Sequence, residues 1–367
     1  MINLKIETVD PVGVCFNMMK IKYQTYDAAL MDSDFLQPTD KINVFINLET
    51  VMKYITSVQD LEKKMLVCSD IDKILVSNTL NLAAHYKDFF RGNGLDTNIF
   101  LYMTDLSSMC SDFEETRYNE DYRSYYVNKY MGNPKFALLG SKMKDVILPE
   151  VQTICEFIPQ VYYVSKKGVD GALIPHIIAQ NFPDRKNIIL SGDLYDTQYS
   201  YTENFLSQLY MRGYNMNILA WDVAGYLKTI TKRDTIPTEL IQLFSNAAFY
   251  KLLLCCIGDK YRSIMGIPGI KFAKLVSAIT TGLKDGKITT STTSAELLSD
   301  IFPDSVKKSV YDNMVVMDLH SKLNLIGEGS KKDIITQIVD KVDRVSVMKL
   351  NNTIFQKYPL WLEALLR

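Results

Sequence analysis

Five aspartates hold the chemistry that this sequence could do. Apolar runs of strand length end, in turn, at Asn47, at Asp105, just before Gly168-Val169-Asp170, and at Asp193 with Asp196 beyond it. A further carboxylate, Asp259, follows a long apolar run. In an open parallel sheet, ligands gather at the carboxyl ends of the strands. Carboxylates collected there repel one another unless cations lie between them, and hard ions such as Mg²⁺ or Mn²⁺ prefer oxygen ligands. Two such ions orient a phosphodiester, make hydroxide from water and stabilise the leaving oxygen. The competing reading is that Asp at a strand end is a helix N-cap. Taken singly, Asp170 and Asp196 fit caps or turn residues better than ligands. Asp105, Asp193 and Asp259 fit the cap reading less well, because all three border apolar runs at one expected edge.

A second stretch, residues 258–274, is basic and glycine-rich. Gly266 and Gly269 bracket Ile-Pro in a tight turn, and a helical run over 271–283 starts directly behind it. Such a turn exposes free backbone N–H groups that suit a phosphate. Lys260, Arg262, Lys271 and Lys274 stand there against a single Asp259, a combination that would grip a nucleic-acid backbone. A plain helix–turn–helix corner with surface lysines accounts for the same residues. Residues 118–130 carry five tyrosines, which either stack the bases of a single strand or pack an amphipathic helix on the sheet.

These residues need a scaffold. Strand-like runs recur at 43–47, 98–103, 160–164, 187–190 and 217–220. Helical runs at 48–55, 75–90, 143–155 and 170–180 alternate with them. That alternation predicts an α/β fold: a mainly parallel sheet flanked by helices. After about residue 236 the strands stop. One long apolar helix is expected over 238–257, then helices at 271–283, 294–301, 306–318, 333–345 and 352–366, with 327–332 read as a loop.

Composition narrows the classes. The 367 residues are 47% apolar and 23% charged, enough to bury a full core. A net charge of −1 gives no global field toward nucleic acid or acidic membrane, so any such affinity must be local. The six cysteines show no CxxC pair or zinc spacing, and reduced buried thiols in a cytoplasmic protein fit them best. No apolar run has the length of a membrane span. His85, His176 and His320 lie far apart in helical runs and suggest no catalytic relay.

The order of features resembles the 5′-nuclease superfamily, the PIN-like flap endonucleases and the phage and bacterial 5′–3′ exonucleases. The resemblance runs over residues 42–320. It rests on the strand ending at Asn47 and the strand ending at Asp105. An arch pattern at Arg117 and Tyr122-Arg123 follows, then Gly168-Val169-Asp170-Gly171, then Ser191-Gly192-Asp193-Leu194-Tyr195-Asp196-Thr197-Gln198, and finally Gly258-Asp259 through Gly266-Ile267-Pro268-Gly269. It implies a PIN-like domain over 41–236 with a helical arch near 106–135. A helix–three-turn–helix DNA clamp would follow over 237–325, with an extension at 1–40 and a helical tail at 326–367. It further implies Mg²⁺- or Mn²⁺-dependent hydrolysis of branched or 5′-ended DNA, with RNA as an alternative substrate. Asp105, Asp170, Asp193 and Asp259 would be catalytic. Asp105, Asp193, Asp196 and Asp259 would be ligands. Arg117, Arg123, Lys260, Arg262, Gly266, Gly269, Lys271 and Lys274 would hold nucleic acid.

The sequence departs from that pattern in sign. Asn47, Gly168 and Gly171 replace carboxylates, and Arg262 stands where a ligand is expected. Fewer negative charges weaken a two-cation site. Two functions are therefore open. One is a metal-dependent 5′ nuclease of weakened or lost activity. The other is a pseudonuclease that binds DNA as an assembly subunit of a replication or transcription complex.

Overall fold

The structure, a computed structural model, describes residues 36–51, 71–103, 143–202, 205–212, 217–220, 222–231, 234–259, 264–267, 272–289, 292 and 304–345. Asp105, the expected arch with Arg117 and Arg123, Lys260, Arg262, Gly269, Lys271, the helix at 294–301 and the tail helix at 352–366 lie outside the described residues.

The apolar runs become strands. Six form one sheet: β1 (Lys41–Asn47), β2 (Asp96–Tyr102), β3 (Val161–Val164), β4 (Lys186–Ser191), β5 (Phe205–Arg212) and β6 (Asn217–Ala220), in the order β3-β2-β1-β4-β5-β6. The pairs from β3 through β5 are parallel, and β6 adds antiparallel to β5. Helix α1 (Ile71–Gly92) crosses from β1 to β2, α2 (Leu148–Phe157) precedes β3, and α3 (Ile174–Asn181) leads toward β4. This is the expected α/β layout. Strand β1 is buried at every position after Lys41, which is why it reads as an unbroken apolar run. The strand order reverses at β1: β2 and β3 lie on one side, β4 and β5 on the other. That reversal opens a crevice at the carboxyl ends of β1 and β4.

Two ladders fix the register. Phe45, Phe100 and Tyr162 are direct partners on β1, β2 and β3, and their rings stack at 5.1 and 4.9 Å. Asn43 on β1 is the partner of both Asn98 and Asn187. Its amide donates to Asn187 Oδ1 at 3.0 Å, and its Oδ1 accepts from Asn98 at 3.4 Å. Buried amides that satisfy one another hold only in this register, because a one-residue slip would strand them in the core.

The second half is helical: α4 (Val223–Thr231), α5 (Thr238–Phe244), α6 (Ala247–Ile257), α7 (Phe272–Lys284), α8 (Asp304–Met317), α9 (Leu319–Leu325) and α10 (Glu328–Val345). A two-residue hairpin, β7 (Gly258–Asp259) with β8 (Ile264–Met265), sits between α6 and α7. One hydrophobic cluster runs from Phe45 and Phe100 of the sheet through Leu253 and Val276 to Ile338 of α10. Helix α10 covers the edge strand β3: Gln337 donates to Ser165 O at 3.4 Å and Lys341 to Ile158 O at 2.8 Å and to Val161 O. Among the described residues no single helix is long and apolar enough to cross a membrane; α5 and α6 together approach that composition, and their apolar residues lie largely in the core.

Three expectations are corrected. The single helix over 238–257 is two helices bent by 87°. Asn246 breaks it by capping α6, its side chain accepting from Ala248 N at 2.9 Å, although the apolar content continues through the break. The expected loop at 327–332 is mostly the first turn of α10, where Lys331 pairs with Glu328 at 2.7 Å. Strand β5 and helix α9 are absent from the sequence reading.

Candidate functional site at the strand edge

The crevice between β1 and β4 is built from their last residues. Asn47 ends β1. Its Oδ1 accepts from Thr50 N at 3.2 Å and so caps the turn that follows. Its Nδ2 points across the crevice and donates to Asp196 Oδ2 at 2.7 Å. Ser191 ends β4, and its hydroxyl donates to the same oxygen at 2.6 Å. Tyr102 ends β2 and donates to it at 3.0 Å. Three neighbouring parallel strands thus deliver one donor each to one carboxylate oxygen, on a residue with no solvent exposure. Burial first, and then the Asp196 charge, push the Tyr102 and Tyr199 phenols well above their ordinary range, so both remain neutral donors.

Asp193 occupies the turn between β4 and the 3₁₀ segment Asp196–Tyr201. It is half-buried, and its Oδ1 accepts from Tyr195 N at 3.0 Å while its own N–H donates to Ser191 Oγ at 3.1 Å. Asp170 lies past the end of β3. Gly168 before it has φ 74°, in the left-handed region that glycine adopts without a steric penalty. Asp170 Oδ1 caps the 3₁₀ turn Gly171–Leu173 by accepting from Ala172 N at 3.0 Å. Its Oδ2 pairs with Lys322 Nζ at 3.1 Å, with both side chains almost fully buried. Lys322 comes from α9, and its ammonium lies 4.2 Å from the centre of the Tyr195 ring.

The helical half is fastened to this edge by polar contacts. Gln198 Nε2 donates to Met317 O at 2.8 Å and to Tyr195 O at 3.1 Å, and its Oε1 faces Leu319 N at 3.5 Å. Lys251 pairs with Asp318 at 2.6 Å. Asn313 donates to Cys255 O at 2.9 Å. The start of α9, and with it Lys322, is held by the same 3₁₀ segment that carries Asp196.

Asp259 lies on the strand β7, its backbone opposite Ile264. Gly266 directly after β8 is pressed against the end of α6: a Cβ there would stand 2.3 Å from Ile257 O. Lys274 is exposed on the first turns of α7.

Of the residues expected to bind metal, the structure gathers Asp193 and Asp196 at the β4 end and sets Asp170 nearby. Asp170 is a cap and half of an ion pair, and the Oδ2 of Asp196 is filled by neutral donors, while its buried Oδ1 receives no hydrogen bond among the described residues. Among the described residues no group of three His, Cys, Asp or Glu could hold a metal ion. These described carboxylates do not fit a two-ion centre. The residues that sequence reasoning passed over are Lys322, Tyr102 and Gln198. Gln198 ends the Ser191–Gln198 segment, where no role was expected of it, and Lys322 has no local signal at all.

No family model matches the chain, and no curated protein matches it. Among solved structures the chain is similar to a bacteriophage T5 5′-exonuclease with bound zinc, at 12% identity over 89% of this chain and 99% of that chain, with a TM-score of 0.46. It is similar to a bacteriophage T5 flap endonuclease in complex with DNA and metal ions, at 12% identity over 89% of this chain and all of that one, TM-score 0.46. It is also similar to human GEN1 in complex with Holliday junction DNA, at 12% identity over 80% of this chain and 60% of that chain, TM-score 0.37. At these scores the likeness says nothing of individual residues.

Proposed function

We propose that this chain is a 5′-nuclease-like protein that binds branched or 5′-ended DNA and whose phosphodiester hydrolysis is weakened or lost. The observation that carries the reading is the hydrogen bond from Asn47 to Asp196. At the carboxyl edge where a metal-dependent nuclease would set two carboxylates around an ion, this chain sets an amide against a carboxylate. Amide and carboxylate attract without a cation, so the charge that would recruit one is spent internally. The grip on DNA would come from the basic stretch 258–274, through Lys260, Arg262, Lys271 and Lys274. Remaining Mg²⁺- or Mn²⁺-dependent cutting would fall to Asp105, Asp193 and Asp259.

The test incubates the full chain with a labelled 5′-flap DNA, with Mg²⁺, with Mn²⁺ and with chelator. Binding that weakens steeply with salt, with little or no cutting, is the expected result. Efficient cutting abolished by Asp193→Ala would restore a full enzyme, and cutting untouched by that substitution would move the active centre elsewhere. Absence of binding to flap, duplex and single-stranded DNA alike would sink the reading. A subunit role in a replication or transcription assembly is the second reading, favoured by the same amide–carboxylate contact if binding occurs without cutting.

A further inference from the structure

We propose that Lys322 is a resident cation of the strand edge: its ammonium group holds Asp170 in the way a divalent ion would hold it in a metal-dependent nuclease. The inference rests on reading this edge as one that descends from a cation site, and it adds the group that replaced the cation.

The geometry carries it. Lys322 Nζ is 3.1 Å from Asp170 Oδ2, with side-chain exposures of 3% and 2%. The ammonium is bounded on another side by the Tyr195 ring at 4.2 Å. Asp170 is fixed by its bond to Ala172 N, so its second oxygen is presented in one direction, toward Lys322. The lysine does not arrive there by drifting across a surface. It reaches in from α9, whose start is tied to Gln198 and whose preceding residue Asp318 is tied to Lys251. Removing a flexible ammonium from water is costly, so the fold bears a penalty that a surface lysine would avoid. What that penalty provides is a fixed positive charge beside the carboxylate at the mouth of the sheet. Tyr199 links the two halves of the edge. Its hydroxyl donates to Ala172 O beside Asp170, and both Asp196 and Asp170 act to raise its phenol, after burial. Lys322 serves Oδ2 of Asp170, and Asn47, Ser191 and Tyr102 serve Oδ2 of Asp196, so the Oδ2 oxygen of each carboxylate is held by protein donors.

A buried ion pair that only stabilises the fold makes a different prediction from a cation substitute. Removing the lysine from a purely structural pair leaves a defect that no metal repairs. Removing it from a substituted cation site leaves a carboxylate that accepts a metal.

The experiment measures the thermal midpoint of the full chain, stripped of metal, as Mn²⁺ is added, and follows bound Mn²⁺ by electron paramagnetic resonance. The wild type is expected to show no midpoint shift that depends on Asp170. Lys322→Gln is expected to lose stability and to regain several degrees with Mn²⁺. The double variant Lys322→Met with Asp170→Asn is expected to lose that response. A folded Lys322→Gln variant without any Mn²⁺ response would overturn the proposal. If Lys322→Gln does not fold, wild type against Asp170→Asn decides: bound Mn²⁺ present in the first and missing in the second overturns it, and equal behaviour of the two supports it. Flap-DNA affinity of the wild type, measured in chelator, is read separately. Its absence would remove the DNA-binding reading and leave the metal result standing.

Discussion

Asn47 Nδ2 lies 2.7 Å from Asp196 Oδ2, joining the end of the central strand to the segment that follows β4 at the point where strand order reverses. The contact is buried on both sides. Replacing the amide by a carboxylate would set two negative groups at hydrogen-bond distance without water. Asn47→Asp is therefore expected to lower unfolding stability by about 3–5 kcal/mol, the cost of an uncompensated buried charge. Asn47→Ala removes one of three donors and is expected to cost about 1–3 kcal/mol. Urea denaturation at neutral pH measures both. An Asn47→Asp variant as stable as the wild type would show that Asp196 is not held as a carboxylate by this amide.

Gln198 is nearly fully buried and bridges Tyr195, Met317 and Leu319. Its loss strands a buried carbonyl and loosens the start of α9 together. Gln198→Ala is expected to cost about 1–3 kcal/mol and to raise amide-hydrogen exchange in Leu319–Leu325 more than in β1 or β4. Exchange that rises equally in all three elements would assign Gln198 a general packing role and not an anchoring one.

Gly266, in the turn between α6 and α7, has a packing reason. A Cβ on Gly266 would meet Ile257 O at 2.3 Å and Ile257 C at 2.8 Å, both rigid backbone at the end of a buried helix, while Ile267 N donates to Cys256 O at 3.1 Å. Gly266→Ala is expected to cost about 1–3 kcal/mol as an overpacked site and to weaken DNA binding by displacing the hairpin. Lys274→Ala touches only an exposed lysine. It should leave the thermal midpoint in place, weaken DNA binding evenly across sequences, and lower the salt slope by about 1. Fluorescence anisotropy across a salt series separates the two variants.

The parts of this molecule that were legible in the sequence are those whose cause is local. Val44-Phe45-Ile46, Ile99-Phe100-Leu101 and Ile188-Ile189-Leu190 are buried on both faces, so each reads as a continuous apolar run and each turned out to be a strand. Reading each strand to its last residue then found Asn47, and the Ser191–Asp196 turn, at one edge. What could not be read depends on segments far apart in the chain. Lys322 meets Asp170 across 152 residues, and Asn47 meets Asp196 across 149. A lysine in a short polar helix carries no mark that it will be buried. For that reason Asp196, which alone fits a turn residue, became the focus of three strands only in three dimensions. The break at Asn246 was hidden for the opposite reason: a strong local signal, apolar content on both sides, outweighed a weak one, a single capping side chain.

His176 gives the fold a defined response to acid. It is buried in α3, edge-on to His320 at 5.5 Å. Burial first, then the neighbouring His320 and Lys331, lower its pKa to about 4. In the unfolded chain the same ring titrates near about 6.5. Above that pH both states carry a neutral ring, and the native state has its full stability. As pH falls from 6.5, the unfolded chain takes up the proton first, so stability declines until the native ring also protonates near 4. The slope approaches about 1.4 kcal/mol per pH unit inside that window, and the total is at most about 3 kcal/mol. Asp40 cannot produce this loss, because its ion pair with Lys186 holds its carboxyl below the ordinary carboxylate value and its contribution vanishes at lower pH. Urea denaturation of the wild type and of His176→Leu between pH 7 and 4 measures it. The variant is expected to be flatter than the wild type through that window. Equal slopes in the two would show that His176 is protonated in the folded protein or that another group carries the linkage.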